Sequence, residues 1–373
     1  MDVTETIKAL PKVVLHDHLD GGLRPETIIE LAAQTGYELP ATDPQELGAW
    51  FSQAANSGSL VRYLETFGHT VAVMQTVEGL RRVAREMVED HAADGAVYVE
   101  SRWAPEQHVA GGLSLQEAFD AVQQGIDEGV AAVASRGGSI RVGQLVTAMR
   151  HADRWDEIAD LALANRDRGA VGFDIAGAEY GFPPNRFPQV WRKLNDAGFP
   201  VTIHAGEADG IESISQAVHL GQALRIGHGV RITQDIEGFG TDNPRLGRVA
   251  NWVRDNQIAL EVCPCSNLQT DAALDADGNP LRELPQHPVS GLRDLDFAVT
   301  INTDNRLMSA TSMSHEMARL VHEANWTFDD LRDVTLAAAW SAFIHHDERH
   351  ELGERIIAQY EQVLGSQVLN RSL

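Results

Sequence analysis

The sequence predicts an α/β fold in which eight parallel strands and their intervening helices close into a (β/α)8 TIM-type barrel, with a helical insertion after the first strand. Three observations carry this. Short β-rich apolar runs alternate with longer amphipathic segments along the chain. There are eight such runs in 373 residues, and a minimal barrel of this kind needs roughly 250. Polar, chemistry-bearing residues gather where the apolar runs stop, and in a parallel barrel all those ends share one rim. The alternation alone supports an open doubly wound sheet nearly as well. Residues 1–373 are expected to form a single domain, because no internal repeat, low-complexity tract or Pro/Gly/Ser-rich linker divides them.

The strands are expected at 13–20, 96–104, 140–148, 170–176, 200–205, 224–228, 258–264 and 297–304, with helical spacing at 115–134, 155–168, 187–197, 213–221 and 246–256. In the first strand, His16, His18 and Asp20 occupy alternate positions before Gly21-Gly22, so they are expected to share a face. Two neutral imidazoles there begin a divalent metal site, although a pair of hydrogen-bonded core histidines fits equally well. The long stretch 35–94 follows. It places Leu60, Tyr63, Leu64 and Phe67 at helical spacing after a Gly/Ser/Asn loop, either as a packed surface helix or as an apolar lid over the barrel mouth. The fifth run ends His204-Ala205-Gly206-Glu207, the sixth ends at His228, and the eighth ends Asn302-Thr303-Asp304-Asn305. On a common rim, His16, His18, His204 and Asp304 suit Zn²⁺ with a coordination position left for water, and His228 is left over for acid/base work. From about Ser312 onward the chain reads as mostly helical.

Composition narrows the function. With 54 acidic against 30 basic residues the net charge is -24, which disfavours nucleic acid and anionic membrane as partners and suits a small neutral or cationic ligand. The first twelve residues lack a signal-peptide pattern, and no apolar stretch reaches the roughly 18 residues of a membrane span. A cytoplasmic enzyme is expected. Cys263 and Cys265, the only cysteines, read as packing residues, with no disulfide framework. The three lysines, Lys8, Lys12 and Lys193, include none at a mid-barrel strand end that could bridge two metals, so one metal per chain is expected. His345, His346 and His350, like His315 and His322, fall in helical stretches without a third converging ligand and read as surface or wall residues.

The motifs His-x-His-Leu-Asp-Gly at 16–21, Gly-Phe-Asp-Ile-Ala-Gly-Ala-Glu at 172–179, His-Ala-Gly-Glu at 204–207, Gly-His-Gly at 227–229, Cys-Pro-Cys-Ser-Asn at 263–267 and Asn-Thr-Asp-Asn at 302–305 together resemble the adenosine deaminase family, above all its actinobacterial members. The resemblance runs from about residue 11 to 343. It implies zinc-dependent hydrolytic deamination of adenosine and 2'-deoxyadenosine in purine salvage. His16, His18, His204 and Asp304 would be the metal ligands, and Glu207, His228 and Asp304 the catalytic groups. It further implies substrate contacts from His18, from Asp20 to the ribose, from the Gly177 N–H to purine N3, and from Asn305 to N7, with Leu60, Tyr63, Leu64 and Phe67 as lid. The chain departs from the common pattern at Asn305, where many members carry aspartate, and at Ala178. Rival readings are a deaminase of adenine or of aminodeoxyfutalosine, a mononuclear cyclic amidohydrolase, and a non-catalytic zinc-binding protein. The H-x-E with P-C-x-x-C signature of the cytidine-type deaminases is absent.

Overall fold

The computed structural model describes residues 3–365. Eight parallel strands, β1 (Lys12–His18), β2 (Ala96–Trp103), β3 (Arg141–Met149), β4 (Ala170–Ala176), β5 (Thr202–Ala205), β6 (Arg225–His228), β7 (Ala259–Val262) and β8 (Val299–Ile301), follow the eight apolar runs. Their side chains are buried almost continuously, as expected of strands covered on both faces. They pair in two parallel sheets, β1-β2-β3-β4 and β5-β6-β7-β8. Single parallel bridges, Asp17 to Asp304 and Phe173 to Val201, join the two sheets at both edges. The strand order is therefore that of the barrel, with each seam a bridge and not a ladder.

Helices Leu115–Ser135, Trp155–Ala164, Pro188–Asp196, Ile211–His219 and Arg248–Asp255 return the chain between strands. The first of these starts at a capping box in which Ser114 and Glu117 satisfy each other's backbone N–H. Helices Met313–Ala324, Phe328–Ser341 and His346–Leu364 bear out the helical reading from Ser312 onward; its extension over 366–373 lies outside the described residues. Among the described residues no helix is long and apolar enough to cross a membrane.

Two local expectations need correction. β1 stops at His18, and Leu19–Gly21 form a 3-10 turn, so Asp20 leaves the strand face that His16 and His18 share. The four lid residues do not lie on one helix, because the chain breaks between Leu60–Glu65 and Phe67–Val73. At the break, the Thr66 hydroxyl donates to the Tyr63 carbonyl at 2.7 Å, a local bond that competes with the helical ladder.

Beneath the rim the barrel interior is ionic. Buried Arg102 donates to Asp174 (2.8 Å) and Glu261 (2.6 Å), and buried Arg225 donates to Glu261 (2.6 Å) and Glu100 (2.5 Å). Removing one partner from such a network strands a buried charge at a cost of about 3–5 kcal/mol. The layer holds Glu261 and Asp174 in place under the histidines.

Candidate metal centre and active site

His16 and His18 end β1, His204 lies in β5, His228 ends β6, and Asp304 follows β8. The structure brings all five to the same rim. His16 Nε2 is 3.3 Å and His18 Nε2 3.4 Å from Asp304 Oδ1, and the Nε2 atoms of His18 and His204 are 3.3 Å apart. Asp304 and His228 reach their positions through left-handed backbone, φ 56° and 62°. Such conformations cost a non-glycine residue about 1–3 kcal/mol and gather at functional sites.

The proton positions on these rings follow from their neighbours. Burial opposes ionisation of Glu261, but Arg102 and Arg225 hold its carboxyl well below the usual range, so it can only accept, and His16 Nδ1 donates to it at 3.1 Å. Burial likewise opposes ionisation of Asp174, but Arg102 and the facing His204 ring bring its carboxyl down to about 2, and His204 Nδ1 lies 2.8 Å from its Oδ2, which keeps the ring proton on that nitrogen. The Nε2 atoms of both rings therefore present lone pairs inward, at Asp304 Oδ1 and at His18 Nε2. His16 Nε2 is buried with no hydrogen-bond partner. Burial also lowers His18 to about 3 and lowers His204, which keeps these imidazoles in the neutral, ligating form. The inward lone pair of His16 Nε2 facing the Asp304 carboxylate oxygen calls for a cation between them. A tetrahedral ion with bonds of about 2.0–2.1 Å sets its ligand atoms about 3.3 Å apart, and the three separations here match. The donor set therefore fits one divalent ion of the imidazole-binding kind.

Around that centre stand acid/base and orienting groups. Glu207 is 5% exposed, and burial, with the charges of Asp304 and Glu179, raises its carboxyl well above the usual range. Its loop is fixed by Glu179, whose carboxylate accepts from the backbone N–H groups of Gly206 (2.7 Å), Glu207 (3.0 Å), Ala208 (2.7 Å) and Asp209 (3.0 Å). His228 Nε2 lies 3.5 Å from Glu207 Oε2. Asn267 accepts from the Cys263 N–H through Oδ1 (3.4 Å), which turns its amide nitrogen to His228 Nδ1 (2.9 Å). Nδ1 thus accepts, and the proton of the neutral ring sits on Nε2. Ser266 donates to Asp304 Oδ2 at 2.5 Å.

A cavity of about 220 Å³ opens beside this cluster, lined by His18, Asp20, Leu64, Phe67, Met149 and Gly177, among others. Leu60 and Tyr63 do not line it; the buried Tyr63 hydroxyl lies instead 3.4 Å from Ser309 Oγ. Asp20 is buried, with Oδ1 unpartnered and Oδ2 3.6 Å from His108 Nε2. Gly177 has φ 103°, and a Cβ there would lie 3.1 Å from Met149 Cε. Asn305 is buried against Gly21, where a Cβ would come within 2.0 Å of its Oδ1. Cys263 and Cys265 are both buried and free. Glu261, Arg102, His108, Asn267 and Ser266 were not assigned roles from the sequence. Position at or just past a strand end points to His108, and the Cys-Pro-Cys-Ser-Asn motif contains Ser266 and Asn267. No local pattern marks Arg102 or Glu261.

The family model described as adenosine deaminase matches residues 11–359. Adenosine deaminase 1 of Streptomyces coelicolor is 54% identical over 346 residues, covering 92% of this chain and 85% of that protein. The adenosine deaminase of Mycolicibacterium vanbaalenii is 52% identical over 361 residues, covering 96% and 98%. Among solved structures, an amidohydrolase from Burkholderia ambifaria with bound Zn superposes with a TM-score of 0.82 at 23% identity, covering 98% of this chain and 94% of that one. Adenine deaminase from Arthrobacter aurescens gives 0.79 at 24% identity, covering 94% and 98%. At those identities the two structures speak for the fold alone.

Proposed function

The chain belongs to the adenosine deaminase family, and on that ground we propose that it converts adenosine and 2'-deoxyadenosine to inosine and 2'-deoxyinosine plus ammonia, with one zinc ion held by His16, His18, His204 and Asp304. The observation that carries the site assignment is the convergence of the Nε2 atoms of His16, His18 and His204 with Asp304 Oδ1, at separations of 3.3–3.4 Å. An imidazole-rich set favours zinc, while iron or cobalt also suits such ligands. When bound, the ion supplies Lewis acidity that brings the pKa of water toward neutrality.

The residues divide the remaining work. Glu207, neutral through burial, donates its proton to purine N1, which leaves C6 electron-poor. Asp304 takes the proton of the attacking water. His228, with its proton on Nε2, donates to that oxygen and orients it, so that the base is Asp304. The Gly177 N–H is the donor to N3, close approach being possible because no side chain intervenes. Asp20 receives the ribose hydroxyls, with His108 behind it. The Asn305 amide donates to N7. Leu64 and Phe67 keep water from the reacting centre. The unpartnered Oδ1 of Asp20 beside the cavity favours a nucleoside over a free base.

The test is loss of adenine absorbance on incubating the pure protein with adenosine, 2'-deoxyadenosine, adenine or aminodeoxyfutalosine. Each reaction is run untreated, after chelation, and after zinc is restored. Turnover of both nucleosides, abolished by the chelator and regained with zinc, is expected. Inactivity toward adenosine overturns the substrate; full activity after verified metal removal overturns the centre.

A further inference from the structure

Helix His346–Leu364 opens with two imidazoles one turn apart. His346 and His350 lie at i, i+4 on one face, their ring centroids 6.0 Å apart, and their side chains are 76% and 59% exposed. Trp340 stands against both, 6.0 Å from the His346 ring and 5.4 Å from the His350 ring. A carboxylate lies on the Nδ1 side of each imidazole: Asp347 Oδ1 at 3.6 Å from His346 and Glu354 Oε1 at 3.9 Å from His350. The cluster is at the far end of the barrel from the catalytic rim, since the Ser341 carbonyl just before it accepts from Arg225 at the start of β6.

We propose that His346 and His350 form a second, surface site for a late first-row divalent cation, with one imidazole nitrogen from each as ligands and water completing the sphere. Two histidines at i, i+4 on a helix face are a spacing that metal sites use, and exposed rings turn freely enough to close on an ion. The neighbouring carboxylates raise ligand basicity and orient the rings, and the net charge of -24 concentrates cations at the surface. The positive end of the helix dipole opposes a cation here, and Asp347 in the first turn offsets it, Glu348 being paired with Arg141. The guanidinium of Arg349 is turned to the carbonyls of Trp340 and Ile344, both at 3.0 Å, and that of Arg141 is paired with Glu348. A two-imidazole site with open positions ranks Cu²⁺ above Ni²⁺ and Zn²⁺.

Copper(II) titrated into the metal-loaded enzyme tests this, with tryptophan fluorescence and calorimetry as readouts. Saturable quenching at one added copper per chain is expected, with deaminase turnover retained. His350→Ala should weaken that binding about 100-fold, because the second ligand is then no longer held at high effective concentration. Trp340→Phe should keep the calorimetric binding and lose the quenching. Wild-type binding in both His346→Ala and His350→Ala, or no saturable binding in the wild type, overturns the site.

Discussion

Replacing Glu207 by glutamine separates its shape from its proton. The amide fills the same space and still donates a hydrogen bond, but it has no acid proton to give to N1. General acid catalysis contributes about 10²–10⁴-fold, which is about 3–5 kcal/mol of barrier at about 1.4 kcal/mol per tenfold. A fall in kcat of that size is expected for Glu207→Gln, with KM near the wild-type value because ground-state contacts persist. Stability should move the other way. The folded-state pKa of Glu207 is raised by burial and by the charges of Asp304 and Glu179. The stability this carboxyl contributes is therefore complete below its unfolded value of about 4.3 and is lost as the pH climbs toward the folded value. Glutamine suffers no such loss, so the variant gains on the wild type as the pH rises. Steady-state deamination and thermal melts across neutral and mildly acid pH measure both effects. A variant with wild-type kcat, or one that loses ground in melting temperature as the pH is raised, refutes a buried, neutral acid at this position.

Three further outcomes follow from the same geometry. Asn305→Asp should stay active but bind adenosine with a pH dependence the wild type lacks, since a carboxyl donates to N7 only when protonated; inhibitor affinity that is flat across the pH range contradicts this. Burial pushes Glu316 from its usual 4.5 up to about 7, where it accepts from the Cys265 N–H (3.2 Å) and the Thr311 hydroxyl (2.8 Å). Wild-type stability should thus fall relative to Glu316→Gln from about pH 4.5 and level off above pH 7, the whole change being about 3 kcal/mol at about 1.36 kcal/mol per unit; parallel denaturation curves at the two ends of that range contradict it. Gly177→Ala should cost about 1–2 kcal/mol of stability through its left-handed backbone, and raise KM more than it lowers kcat; unchanged melting temperature and KM together contradict the close-approach role.

The donor residues were readable from the sequence because each is a chemically distinctive side chain at the end of an apolar run, and a parallel barrel converts strand ends into neighbours. His16, His204, His228 and Asp304 needed only that one rule. Asp20 misled strand periodicity, because the turn at Leu19–Gly21 ends the alternation two residues early. The lid misled helical periodicity in the same way, at Thr66, where a side-chain hydroxyl takes over a helical acceptor. Arg102 and Glu261 were unreadable for another reason. Each looks like an ordinary charged residue within a strand, and its meaning lies in a partner 159 positions away. The tautomer of His228 depends similarly on Asn267, 39 positions on, which no spacing rule connects to it.

The two seams of the barrel carry one more implication. Of the donors, His16 and His18 belong to the sheet β1-β2-β3-β4, whereas His204 belongs to the other sheet and Asp304 follows its edge strand β8. Neither half holds the whole set, so the complete centre exists only once the halves have docked. An ion seated there would act as a rivet across the Asp17–Asp304 seam, one of the two places where a single bridge joins the sheets. Loss of the metal should then loosen this joint before either half, and hydrogen exchange at the amides of His18 and Asp304, which bridge it at 2.8 and 2.9 Å, is where that slackening would first be seen.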